Sequence, residues 1–466
     1  MGSSLQTHRS DLLGLVLACF FAVCGLLSYG LLLGLFPDAG GPAWTVALAA
    51  AFAVPVVFMV LSHWVLGVYL LAAVLPFESM LTFGSYGSAI KGIGLLMFCG
   101  LGLRLLRDQE LFDRLRLSLQ RPLLLCAGAL AGWSMLSVLW AGERVPALVK
   151  TGTFVSMLAL MVAIGLLERR QLVVMWAVIA AGTLLSVPFG YVMFGAPGEE
   201  AGRFSSGGDP NDYANLLVVV FFVACYGLLR RSRVAAYALA FAVVIGVLIS
   251  QSRTGLIALG ATPLLILFLP RLMTRIAGRT LVMYSLAIAV FAGMIFLTPS
   301  TGELVSERFS TISQYESEDT WAGRWSLWQG AGRLIADNPI LGVGSGNFPY
   351  EAAAYSAQAA HLESLREGAA VAHNVFLSVA SELGAVGLAL FLGILFFAFK
   401  GALRLARYRS ALGVGLFLGL LAFTIAGQTL SWEYEKVGYF LYGSVLSLLL
   451  HQTTQSKPKS GYGDHR

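Results

Sequence analysis

Four polar stretches in a largely apolar chain carry side chains that could act on an anionic or hydroxyl-bearing substrate. The first is Arg203-Phe204-Ser205-Ser206-Gly207-Gly208-Asp209-Pro210-Asn211-Asp212-Tyr213. Its Gly and Pro mark a structured turn, with Asn211 or Asp212 placed to cap the following helix. Arg203 could meet an anion there. The second is Ser250-Gln251-Ser252-Arg253-Thr254-Gly255. An arginine at membrane depth is costly unless it is paired or faces a wet cavity. The bland alternative is an Arg that snorkels to the interface. The third is Arg324, beside Trp325 in a tryptophan-rich segment. A guanidinium keeps its charge and offers a planar fork of donors, which suits a diphosphate. It could equally sit on a solvated helix face. The fourth is Ala372-His373-Asn374, opening an apolar run. A helix N-terminus carries positive partial charge, which disfavours imidazolium and favours a neutral His373 able to accept a proton. Asn374 adds a donor or orienting group. Glu382 follows within the same run, so it should face other helices or a cavity.

The elements that must position these groups are read from composition. Apolar residues are 57% of the 466 and charged residues 12%. Soluble domains run at about 45–50% and about 25%. That contrast excludes a soluble globule and a disordered chain and leaves an integral membrane protein. A spanning helix needs about 20 mostly apolar residues. Candidate spans lie at about 11–36, 43–61, 64–81, 88–106, 122–140, 147–167, 171–194, 213–229, 234–250, 255–269, 280–298, 373–399, 410–430 and 437–451. The first run is too long for a signal-peptide core, so it is expected to be retained. The five cysteines all lie in apolar runs, which points to packing rather than disulfides or metal.

The formal charge of +6 is explained by sidedness, without a nucleic-acid partner. With the N-terminus inside, most of the 31 Lys and Arg fall in cytoplasmic loops, such as Arg104, Arg107, Arg114, Arg116 and Arg121, or Lys400, Arg404, Arg407 and Arg409. The outer side keeps Lys91, Arg144, Lys150, Arg203, Arg253, Arg308, Arg324, Arg333, Arg366 and Lys436. The expected organisation is an N-terminal bundle of about 11 spans over 1–298 and an outer loop over 299–372. About three further spans follow over 373–451, then a cytoplasmic tail over 452–466. In the loop, Trp321, Trp325, Trp328 and Ile335 recur at helical spacing and predict an amphipathic helix at about 320–337, ended by Asn338-Pro339. A polar helix is expected at about 350–367. Gly342-x-Gly344-x-Gly346 superficially matches a nucleotide-binding pattern, but no strand precedes it. His373 has no His, Asp or Glu at i+3 or i+4, so no metal site is expected.

Taken together, these residues resemble the O-antigen ligase and polymerase family of bacterial inner-membrane proteins. The matching pieces are the Arg203-to-Asn211 loop, Ser252-Arg253-Thr254-Gly255, Arg324-Trp325 and Asp337-Asn338-Pro339-Ile340-Leu341-Gly342-Val343-Gly344-Ser345-Gly346-Asn347-Phe348. His373-Asn374 with Glu382-Leu383-Gly384 and Gly387 completes the set. The resemblance covers about residues 195–400. It implies an all-α polytopic fold of GT-C type with about 12–14 transmembrane helices and one long periplasmic loop containing short amphipathic helices. Ligases of this kind usually have about 12 spans, fewer than the 14 runs read here. It further implies glycan transfer from undecaprenyl diphosphate on the periplasmic face, with no cofactor and no metal. The acceptor would be lipid A–core for a ligase or a second lipid-linked glycan for a polymerase, and ligation is the preferred reading. By motif the family's catalytic residues fall on Arg253, Arg324 and His373, with Arg203, Asn374 and Trp325 as substrate-binding candidates. Two rivals are a small-anion transporter using the same arginines and a non-catalytic partner in glycan export.

Overall fold

The computed structural model describes residues 55–83, 87–194, 209–228, 233–266, 321–355, 371–408 and 410–455. The expected spans at about 11–36 and 280–298, Arg203, and most of the predicted 350–367 helix lie outside the described residues. Apart from a small antiparallel pair, β1 (Thr82–Phe83) with β2 (Gly87–Ser88), the described chain is helical.

Contacts divide the chain into two compact units between Arg114 and Leu115. The first holds α1 (Trp64–Val74) and α2 (Ala89–Leu105). A short helix, Pro55–Ser62, meets α1 at a bend of 118°. The division falls inside α3 (Gln109–Leu119), in a stretch that reads from composition only as a basic loop. Asp108 starts α3 by accepting from the Leu111 N–H at 3.1 Å. That bond, with Arg104 beside it, holds the Asp108 carboxyl below its usual range.

The second unit holds α4 (Pro122–Ser137), α5 (Arg144–Gly165), α6 (Arg169–Phe194), α7 (Pro210–Val223), α8 (Arg233–Ile249) and α9 (Arg253–Ile266). It continues with α10 (Trp321–Asp337), α11 (Phe348–Tyr355), α12 (Val375–Arg407), α13 (Ala411–Ala426) and α14 (Lys436–Gln455). Among the described residues four helices are long and apolar enough to cross a membrane: Arg144–Gly165, Arg169–Gly190, Pro210–Leu228 and Val375–Arg407. Counting the bent pair as one span makes five. The protein is a multi-pass helical membrane protein.

Lipid removes most of the hydrophobic drive between helices, so close backbone approach and buried polar bonds hold them together. The α5–α14 crossing shows both. Gly443 sits against Ile164 and Gly165 against Leu446, where any side chain would collide. Ser447 donates to the carbonyl of Leu167, just past α5, at 2.6 Å, and from α6 the Trp176 indole N–H donates to Ser444 Oγ at 2.9 Å. A separate apolar cluster of Leu327, Ala331, Leu334, Phe348, Ala352 and Ala372 ties α10 and α11 to the segment entering α12.

Candidate functional site

The site is built around a break in α12. Gly384 has φ 65 and ψ −166 inside an otherwise helical run. Such a break frees carbonyls and N–H groups that the helix would have satisfied. The segment after α10 supplies their partners. The Val343 N–H donates to the Ser381 carbonyl at 2.9 Å and the Gly344 N–H to the Glu382 carbonyl at 2.8 Å. In return the Ala385 N–H donates to the Pro339 carbonyl at 2.8 Å. From α4, the Trp133 indole N–H donates to the Leu383 carbonyl at 2.9 Å. Gly342 also has positive φ, at 69. A Cβ on Gly342 would strike the Glu382 carbonyl, and one on Gly384 the Ile340 carbonyl. The two glycine-containing motifs thus bind each other. The Gly342-x-Gly344-x-Gly346 run clasps a broken helix, and the Gly346 N–H donates to Glu382 Oε2 at 2.8 Å.

Glu382 is 4% exposed and forms one arm of a buried charge cluster. Lys150, on α5, lies 2.8 Å from Glu382 Oε2 and 3.0 Å from Glu433 Oε1. Ser378, one turn before Glu382, donates to Glu433 Oε1 at 2.7 Å. The Tyr434 ring lies 5.2 Å from Lys150 Nζ, and burial pushes its phenol well above the usual range. Glu433 Oε2 is buried and has no hydrogen-bond partner among the described residues.

Glu433 belongs to the turn between α13 and α14, residues 427–435, and this turn receives Arg324 and the residues that follow His373. Arg324 is only 8% exposed, and its Nη1 donates to the Thr429 carbonyl at 3.2 Å. Asn374 Nδ2 donates to the Gln428 carbonyl at 3.0 Å, and the Val375 N–H to the Gly427 carbonyl at 2.8 Å. Trp432 reaches α7, where its indole N–H donates to Asp212 Oδ1 at 2.7 Å.

His373 precedes α12 rather than sitting on it. Asn374 is the cap, its Oδ1 accepting from Phe376 N–H at 3.0 Å and Leu377 N–H at 3.1 Å. His373 itself has φ 45, a left-handed conformation that costs an L-residue about 1 kcal/mol or more. Its neighbours are held on both sides. Before it, the Ala372 carbonyl accepts from the Trp328 indole N–H at 3.0 Å; after it stands the Asn374 cap. The half-buried imidazole is therefore presented from a fixed, strained corner.

Arg253 opens α9 and is exposed. Hydroxyls and amides tie the corner beneath it together. Ser252 Oγ donates to Asn211 Oδ1 at 3.0 Å, and Asn215 Nδ2 to Thr254 Oγ1 at 2.7 Å. Gln251, with φ 53, makes the tight turn from α8. The cap of α7 is Asp209, not Asn211 or Asp212: its Oδ1 accepts from the Asn211 N–H at 2.6 Å. Pro210 at the first helical position has no N–H needing a partner, so it suits the position directly after the cap. Asn211 and Asp212 are left to bind Ser252 and Trp432.

Arg324 and the two residues after His373 thus bond to one turn, and Ser252, beside Arg253, bonds to the start of α7, where Asp212 holds Trp432. Trp325 is 53% exposed, its ring 6.5 Å from that of Trp328. Lys150, Glu433 and the 427–435 turn are parts of the site that sequence reasoning missed. Their one visible signal was charge stranded in apolar surroundings. Among the described residues no three of His, Cys, Asp and Glu are grouped as a metal's ligands would be.

The curated proteins include none that matches this chain. Residues 235–392, which run from α8 through Arg253, Arg324 and His373 to beyond the Gly384 break, match the family model described as O-antigen ligase.

Proposed function

We propose that this protein transfers a glycan from undecaprenyl diphosphate to lipid A–core, on the periplasmic face of the bacterial inner membrane. Both termini are assigned to the cytoplasm and the 299–372 loop to the periplasm, on the charge asymmetry of the loops. The observation that carries the reading is the convergence of Arg324 and the His373-Asn374 corner on the 427–429 carbonyls.

Breaking the bond between the anomeric carbon and the phosphate oxygen adds charge to the diphosphate. Cations fixed at that oxygen therefore stabilise the transition state more than the ground state. Arg253 and Arg324 take this role, which in other transferases belongs to a metal ion. The acceptor hydroxyl attacks the anomeric carbon from the opposite side, its proton passes to neutral His373, and the anomeric configuration inverts. General-base help of this kind contributes about 10²–10⁴-fold. Arg203, Asn374 and Trp325 are assigned to substrate binding.

Purified His373→Ala should lose transfer by about 10²–10⁴-fold with lipid-linked donor and acceptor present. Near-normal transfer would remove the general-base role. Lipopolysaccharide from a deletion strain separates ligase from polymerase. Polymer stranded on undecaprenyl diphosphate, with bare core, identifies the ligase. A single repeat on the core identifies a polymerase.

A further inference from the structure

We propose that Glu433 is a positioning residue of the transfer site, held in place by Lys150 and Ser378. This rests on the glycan-transfer reading above. The argument begins with what the 427–435 turn does. Its backbone carbonyls receive Arg324 at Thr429, Asn374 at Gln428 and Val375 at Gly427. Backbone acceptors are only as well placed as the turn that carries them. The Trp432 indole anchors the turn to Asp212 on α7, and Glu433 anchors it to α5 and α12.

The Glu433 anchor differs from the others in reach. It is 2% exposed and engages two elements through one oxygen, Lys150 Nζ at 3.0 Å and Ser378 Oγ at 2.7 Å. Lys150 also holds Glu382, the residue whose carbonyl and carboxylate receive the glycine clasp. The turn that receives Arg324 and Asn374 is thereby indexed to the broken helix whose first turn follows His373. A buried ion pair contributes little net stability compared with apolar packing, but its geometry is specific. The cluster therefore sets the relative placement of the diphosphate-binding arginine and the base. Glu433 touches neither substrate nor reacting atoms.

Glu433→Ala is the informative variant, because the Lys150–Glu382 pair survives it and no buried charge is left alone. Transfer is measured per folded molecule after size-exclusion, in wild type, Glu433→Ala, Arg324→Ala and the double variant. We expect kcat of Glu433→Ala to fall about ten- to hundredfold with donor KM changed far less. The double variant should be scarcely worse than Arg324→Ala, since groups acting through one another do not add. Glu433→Gln keeps an acceptor for both Lys150 and Ser378 and should recover most of the rate. Full activity of Glu433→Ala, or losses that multiply with those of Arg324→Ala, would overturn the proposal. If Glu433→Ala does not yield folded protein, Ser378→Ala takes its place in the same cycle, with a several-fold loss expected. A wild-type protein without transfer activity would instead sink the functional reading itself. An active wild type with inactive Arg324→Ala and unaffected Glu433→Ala and Ser378→Ala would sink this inference alone.

Discussion

The two arginines assigned to the diphosphate sit in opposite surroundings. Arg324 is nearly buried, bonded to a backbone carbonyl, and carried on a helix pinned by Trp328 and the Leu327–Phe348 cluster. Arg253 is exposed at the first residue of α9, above a neutral network of Ser252, Thr254, Asn211 and Asn215. Behind Arg324 stand a positive-φ glycine clasp and the Lys150–Glu382–Glu433 cluster; behind Arg253 stand hydroxyls and amides. The contrast separates two ways of meeting an anion. A preorganised cation needs no rearrangement when charge develops. An exposed one meets the anion while still in contact with solvent.

The sharpest challenge to this contrast lies in the backbone. Gly384→Ala would put a side chain into the Ile340 carbonyl at a positive φ, and should cost about 2–4 kcal/mol, seen as loss of folded protein in detergent. Next come the conservative charge swaps. Arg324→Lys should lower kcat about ten- to hundredfold, because a point charge cannot hold Thr429 with one nitrogen and offer a planar fork to the diphosphate with the others. Arg253→Lys should cost less than about tenfold and act chiefly on donor KM. Equal losses in the two would erase the distinction. Asn374→Ala should remove about 1 kcal/mol of helix-cap stability, measured by thermal unfolding, and lower kcat as the His373 corner relaxes. The smallest effect belongs to the Arg253 side. A Cβ on Gly260 would meet nothing within 4 Å, so Gly260→Ala should leave activity unchanged and stability level or up by about 1 kcal/mol.

Local features could be read from the residues. Apolar runs marked helices such as Arg144–Gly165 and Val375–Arg407, and tryptophan spacing marked the helix before Asn338. What stayed hidden was partnership across distance. Nothing in the neighbourhood of Lys150 names Glu382 or Glu433, because the pairing is made by helix packing rather than by spacing. Glycines 342, 344 and 346 looked like half of a phosphate loop. Their meaning needs the second half, the Gly384 break, which lies in a run whose apolar pattern continues unbroken. The α3 helix was missed for a different reason. Its arginines drew attention to sidedness, while Asp108 as a start signal and Leu111 with Leu115 at i, i+4 were present in the sequence.

The Lys150–Glu433 contact also has a temporal side. Its partners are 283 residues apart in the chain. At synthesis rates of about 5–20 residues per second, the carboxylate leaves the ribosome roughly 15–60 s after the ammonium. Until Glu382 on α12 emerges, a cation destined for the interior must keep company with water, headgroups or the insertion machinery. Glu382 on α12 meets the lysine first and the turn before α14 then closes the cluster, so a nascent chain halted before α12 displays an unneutralised lysine to whatever surveys unfinished membrane proteins.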